Sequence, residues 1–286
     1  MRIFKRPSIG LALGGGGPRG LAHIGVIKIL EKYNIPIDYI AGTSAGSIIG
    51  SFYAKTKNIR EVETYIHSKS WWQMVSVLAD PSLHQGILGG NKAREFLEGF
   101  LGKDFQYVDF KIPFKAIAVS LKTGKAVSFS NGQVLPTIYA SCALPMIFKP
   151  ALIENDLYID GGATNPVPVD AAKKMGADIV IAVNLQKKYF EPHLTDSISF
   201  LQVGQLSFTL MSHNLALTDV KNADIIVNPQ IEHIHWKSLL NEEEKKKGVL
   251  LGELAMEEQI QSLNIIIKSK QPLITSFVHK LHSIFK

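Results

Sequence analysis

The chain has 286 residues, 46% of them hydrophobic and 20% charged, with a formal net charge of +6. That composition supports a large buried core and excludes disorder as a starting point. One cysteine, Cys142, excludes an internal disulfide and a cysteine-based zinc site. No run approaches the ~18 apolar residues of a membrane span, and the five apolar residues Ile9–Leu13 are too few for the hydrophobic region of a signal peptide. The sequence therefore predicts a soluble, cytoplasmic protein whose basic balance modestly favours anionic surfaces.

In chain order the pattern alternates strand, glycine turn and helix. Ile9–Leu13 reads as a strand apolar on both faces, followed by Gly15-Gly16-Gly17-Pro18-Arg19-Gly20 and a helical period over 21–33 at Leu21, Ile24, Ile27 and Leu30. A short strand at 39–41 runs into Gly42-Thr43-Ser44-Ala45-Gly46, with a helix over 47–55. Ile59–Ser68 and 92–101 read as helices, with the pair Trp71-Trp72 between them as a packed segment or a lid. Strands at Phe114–Ser120 and 125–130 flank the hairpin signal Lys122-Thr123-Gly124, and 134–142 reads as a helix. A second hairpin joins Ala151–Ile153 to 157–159 and delivers Asp160-Gly161-Gly162. Ile179–Val183 fits an interior parallel strand, 198–220 a long helix and 224–227 a last strand. Helices follow over 248–268, with Leu250, Leu251, Leu254 and Ile260 on one side, and over 273–285, opened by Pro272. This alternation predicts a three-layer α/β/α fold with a mostly parallel central sheet, its functional residues at the carboxyl ends of the strands.

Three motifs carry chemistry. Gly42-Thr43-Ser44-Ala45-Gly46 is a G-x-S-x-G, the sharp strand-to-helix turn that presents a serine oxygen above a sheet, so Ser44 is the candidate nucleophile. The loop Gly15, Gly16 and Gly17 offers backbone N–H groups near a helix start, which a developing oxyanion needs. Pro18 has no N–H and cannot be such a donor. Arg19 and Gly20 complete this loop, Gly42 and Gly46 flank the serine, and Gly161 and Gly162 let the backbone close around Asp160. The bland reading of Asp160 is a turn aspartate that caps backbone N–H groups. His23 reads as a packed helix residue and Cys142 as a buried, inert thiol. His193, His213, His233, His235, His279 and His282 could each complete a conventional triad, but none lies in a turn of recognisable type.

G-G-G-x-R-G, then G-x-S-x-G, then D-G-G, in that order, resembles the patatin-like phospholipase family. The string from Leu11 to Val26, the string from Tyr158 to Pro168 and Ala140-Ser141-Cys142-Ala143-Leu144-Pro145 are similar to its bacterial stand-alone members. The resemblance covers residues 8–185, the expected catalytic domain; 186–286 is expected to complete the fold and add a helical appendage. It implies a Ser44–Asp160 dyad without histidine, an acyl-enzyme, and phospholipid or lysophospholipid esters as substrates; no ligand cluster in the sequence calls for a metal, and no cofactor is expected. Pro18 departs from the small residue common there.

Two other readings compete. Gly15-x-Gly17-x-x-Gly20 after a strand is also a dinucleotide fingerprint, but the next strand ends in the serine turn and not in an acid for a ribose. A catalytically weak regulatory lipid-binding protein would share the fold, and intact Ser44 and Asp160 argue against it. Nucleic acid is not among the expected partners. The apolar stripe of 273–285, with Lys280 and Lys286 off it, fits packing on the domain, a homodimer contact, or peripheral contact with a membrane.

Overall fold

The computed structural model describes residues 6–68, 91–188 and 198–271. Trp71-Trp72, His193 and the stripe at 273–285 with His279 and His282 lie outside them. The strands are β1 (Ile9–Leu13), β2 (Tyr39–Thr43), β3 (Phe114–Ser120), β4 (Ala126–Phe129), β5 (Ala151–Ile153), β6 (Asp156–Asp160), β7 (Ile179–Val183) and β8 (Ile225–Val227). They form one sheet in the order β5-β6-β3-β2-β1-β7-β8, with β4 also paired to β3. The pairs from β3 through β8 on this path are parallel, and β4, β5 and β6 join antiparallel. The chain builds outward from β1 on one side, then returns to its other edge at β7. The end of β1 is thus the point where strand order reverses, the crevice in which such sheets bind ligands.

Alternation along the central strands sorts large from small residues. Ile9, Leu11 and Leu13 of β1, with Ile179, Ile181 and Val183 of β7, join the larger core cluster. On the opposite face Ala12, Ala41 and Ala182 meet Val169, Ala171, Ala172 and Ala216. The large-residue face is covered by α1 (Leu21–Lys32), α2 (Ala45–Thr56), α3 (Ile59–Ser68) and α4 (Asn91–Leu101), the last three sharing an aromatic cluster around Phe52. After α5 (Val134–Ser141), the small-residue face takes α6 (Val169–Lys174) and α7 (Phe200–Asp219). The sheet is therefore the middle of three layers, as the alternating pattern predicts. The short helix α6 was not expected from the sequence, because six residues, Val-Asp-Ala-Ala-Lys-Lys, carry too little periodicity.

The helix expected over 248–268 is two helices, α8 (Glu242–Glu257) and α9 (Ile260–Ser269). Of the four apolar residues expected on one side, Ile260 is buried and Leu251 packs on the core, but Leu250 and Leu254 face outward. Leu250 and Leu254 are 50% and 53% exposed, whereas Gly248, Val249, Gly252, Ala255 and Met256 are buried. The reason is a backbone-to-backbone crossing with α1. A Cβ on Gly25 would lie 2.0 Å from the Val249 carbonyl, and one on Gly252 would lie 2.0 Å from the Ala22 carbonyl. Small residues, not large ones, let these two helices touch, and α1 is consequently buried almost all round.

This crossing yields an inverted expectation for two alanine substitutions. Gly252→Ala should lower the unfolding free energy by about 1–3 kcal/mol or more through overpacking, while Leu254→Ala should stay within about 0.5 kcal/mol. Urea melts of the two variants test this, and the opposite ranking would mean that α8 does not pack through its glycines.

Candidate active site

The G-x-S-x-G turn is built where β2 ends and α2 begins. Ser44 has φ 53 and ψ −122, a left-handed backbone that a non-glycine residue holds only under constraint. The constraint is close packing: a Cβ on Gly46 would lie 2.1 Å from the Leu13 carbonyl oxygen. Ser44 is further fixed through its N–H, which donates to the buried Ser141 Oγ at 2.9 Å, and through its carbonyl, which accepts from the Ser47 hydroxyl at 2.7 Å. Its side chain is half-buried at the start of α2, where the first-turn N–H groups favour negative charge.

Asp160 ends β6 and is 2% exposed. Its Oδ1 accepts the Gly162 N–H at 2.8 Å, so it does cap the turn Gly161–Ala163. The Ser44 side chain lies near enough to this carboxylate to lower its pKa. Burial raises that pKa from 3.8 to about 6, with the Gly162 hydrogen bond and the Ser44 side chain pulling the other way. No imidazole enters that balance. Gly161 sits against the Ile117 carbonyl, and Gly162 sits against Ser212 and Phe208 of α7. Cys142 lies alongside, its Sγ 3.8 Å from Ser47 Oγ; burial, and then the charge of Asp160, push its thiol pKa up, so it stays a thiol.

The glycine loop after β1 is held from several sides. Gly14 N–H donates to Val183 at 3.1 Å and Gly15 N–H to Pro166 at 2.9 Å, while the Gly16 carbonyl accepts from Arg19 N–H at 3.2 Å. Of the three expected donors, Gly15 is therefore already engaged. Among the described residues the N–H groups of Gly16 and Gly17 meet no acceptor. Side chains hold the carbonyls: His23 Nε2 lies 2.8 Å from the Gly14 oxygen and Gln186 Nε2 donates to the Gly15 oxygen at 3.0 Å. His23 is fully buried, and burial lowers its pKa to about 4, so the ring is neutral and Nε2 carries the donated proton. Arg19 is half-buried and donates to the Leu185 carbonyl at 3.2 Å, tying the loop to the segment after β7. Burial pulls its pKa down against the opposing charge of Glu232. Gly20 is buried at the start of α1, and Gly42 packs on the Gly46 carbonyl.

The three sequence motifs thus meet at the carboxyl ends of β1, β2 and β6. Ser141 and Gln186 were not expected there. Neither sits at a recognisable spacing, and only the folded chain brings them to residues 97 and 171 positions away. His213 places Nδ1 2.6 Å from the Gln186 carbonyl, and His233 and His235 are exposed. Among the described residues no group of three or more His, Cys, Asp or Glu could hold a metal ion, and no helix is long and apolar enough to cross a membrane.

A family model described as patatin-like phospholipase matches residues 11–173. Lysophospholipase NTE1 of Debaryomyces hansenii is 36% identical over 191 residues, covering 64% of this chain and 12% of that protein. An uncharacterized NTE family protein of Mycobacterium tuberculosis is 36% identical over 188 residues, covering 65% of this chain and 51% of its own length. The chain therefore corresponds to only part of these relatives. Among solved structures, VipD from Legionella pneumophila has a TM-score of 0.52 at 12% identity, covering 90% of this chain and 67% of that one, a likeness of fold alone.

Asp160 makes a stability test of its own. Its folded pKa of about 6 lies above the unfolded value of 3.8, so the protonated form is the one folding favours. That contribution is complete below about pH 4 and is lost as pH rises through 6. Asp160→Asn should therefore stabilise the fold at pH 8 by about 3 kcal/mol, the equivalent of the shift, and this gain should vanish near pH 4. Thermal melts at the two pH values check it; a variant less stable than wild type at pH 8 would mean that the buried charge is better compensated than its surroundings suggest.

Proposed function

Because the chain belongs to the patatin-like phospholipase family, we propose that it is a serine acyl hydrolase of lipid esters working through a Ser44–Asp160 dyad. What carries the reading is one juxtaposition: a serine held at φ 53 whose side chain meets a buried carboxylate with its pKa raised to about 6. An ordinary carboxylate of pKa ~3.9 is a poor base for an alcohol. At about 6, Asp160 is still ionised at neutral pH yet holds a proton better, which suits general-base work.

In the proposed cycle Ser44 Oγ attacks the ester carbonyl carbon as Asp160 takes its proton. The carbonyl oxygen becomes an oxyanion, for which we assign the Gly16 and Gly17 N–H groups and drop Gly15, whose N–H is engaged with Pro166. Losing such a donor typically costs about 2.7–4 kcal/mol of transition-state stabilisation. The tetrahedral centre collapses, the C–O bond to the leaving alcohol breaks, and Asp160 returns the proton to that alcohol. Water then repeats the sequence on the acyl-Ser44 ester. The names of the lysophospholipase relatives favour a lysophospholipid as substrate. We assign residues 8–185 and the segment beyond them to one catalytic unit, because β8 extends the same sheet and α8 packs on α1.

Ser44→Ala should abolish both hydrolysis of a p-nitrophenyl ester and labelling by a fluorophosphonate, and Asp160→Asn should lower kcat by about 10³-fold or more. Since the ionised acid is the base, kcat/KM should fall on the acid side with an inflection near pH 6. A histidine variant that folds normally and is as inactive as Ser44→Ala would overturn the dyad.

A further inference from the structure

We infer that Gln186 is a positioning residue for this hydrolysis: by holding the Gly15 carbonyl it aims the Gly16 N–H at the oxyanion. The inference rests on the hydrolase reading above. It begins with the peptide plane, in which the C=O of one residue and the N–H of the next point in opposite directions. Whatever fixes the Gly15 oxygen therefore fixes the Gly16 N–H.

Each plane of the loop is held differently. The plane between Gly14 and Gly15 is gripped at both ends, by His23 on the Gly14 oxygen and by Pro166 on the Gly15 N–H. The plane between Gly16 and Gly17 is held by the main chain, through Arg19 N–H on the Gly16 oxygen. Among the described residues, the plane between Gly15 and Gly16 is held by a single hydrogen bond, from Gln186 Nε2 at 3.0 Å. A bond between two glycines has little steric reason to prefer one face over the other. Without that donor the plane can turn over and carry the Gly16 N–H away from the site.

Gln186 is itself set in place before substrate arrives. It is buried just past β7; its N–H donates to Asn184 Oδ1 at 2.8 Å and its carbonyl lies 2.6 Å from His213 Nδ1. The preceding residue, Leu185, packs against Gly16 so closely that a Cβ there would lie 2.8 Å from the leucine Cβ. A fixed backbone and a buried amide give the donor little freedom to lose, which is what preorganisation requires. Because the oxyanion exists only in the transition state, the effect belongs in kcat and not in ground-state binding.

Gln186→Met keeps the length of the side chain and removes the donor. With a soluble p-nitrophenyl ester, kcat should fall by about 10- to 100-fold while KM stays within about twofold. Affinity for a trifluoromethyl ketone, which becomes an oxyanion on adding Ser44, should fall by the same factor as kcat/KM, with the melting temperature near that of wild type. If the methionine variant does not fold, Gln186→Asn, one methylene too short for the Gly15 oxygen, should give the same split. An active wild type with kcat of the folded variant within threefold, a loss confined to KM, or unchanged ketone affinity overturns the assignment alone. A wild-type chain inactive on the ester, unlabelled by fluorophosphonate, overturns the hydrolase reading and this assignment with it.

Discussion

The first turn of α2 lies against the end of β1, with Gly46 so near the Leu13 carbonyl that no side chain fits between them. This backbone contact sets the spacing between the two glycine turns. It forces Ser44 into a left-handed conformation, and it brings the start of α2 beside the loop that follows β1. Strain of this kind costs of order 1–3 kcal/mol and persists only where the surroundings over-determine it. Here the surroundings are the parallel strands paired on either side of β1, a hydrogen bond from the Ser44 N–H to Ser141 and one from the Ser47 hydroxyl to the Ser44 carbonyl.

Electrostatics add a second constraint on the same few residues. A carboxylate buried as deeply as Asp160 is costly unless hydrogen bonds or neighbouring dipoles compensate it. It accepts the Gly162 N–H, and the nearby Ser44 side chain also lowers its pKa, yet it still stays above its ordinary value. His23 shows the mirror case, an imidazole kept neutral by burial so that it can serve only as a fixed donor to Gly14. Neither group could do its part on the surface.

Much of this was legible in the sequence because it is local. Glycines at fixed offsets after apolar runs identify the turns, and the period of 21–33 identifies α1, since each signal lies within a few residues of its cause. What was not legible depends on distant partners. The pattern Gly15-Gly16-Gly17 says nothing of which N–H another loop will occupy, and Pro166 occupies the first. Leu250 and Leu254 outweigh Gly248 and Gly252 in any hydrophobic tally, yet the glycines face inward because α1 brings Ala22 and Gly25 against Gly252, and Leu21 against Gly248. Ser141 and Gln186 are ordinary polar residues until the fold sets them against Ser44 and Gly15.

The placement of β1 in the middle of the sheet has a consequence for how the protein comes into being. Its neighbour on one edge, β2, is translated almost at once, but β7 and Gln186 lie about 170 residues later. At roughly 5–20 residues per second, a ribosome takes about 10–30 s to cover that interval. For most of that time Ser44 already exists on the nascent chain, yet the loop facing it has neither its strand partner nor its side-chain clamp. The serine turn and the glycine loop are thus completed by residues made well after them, when β7 and Gln186 close on β1.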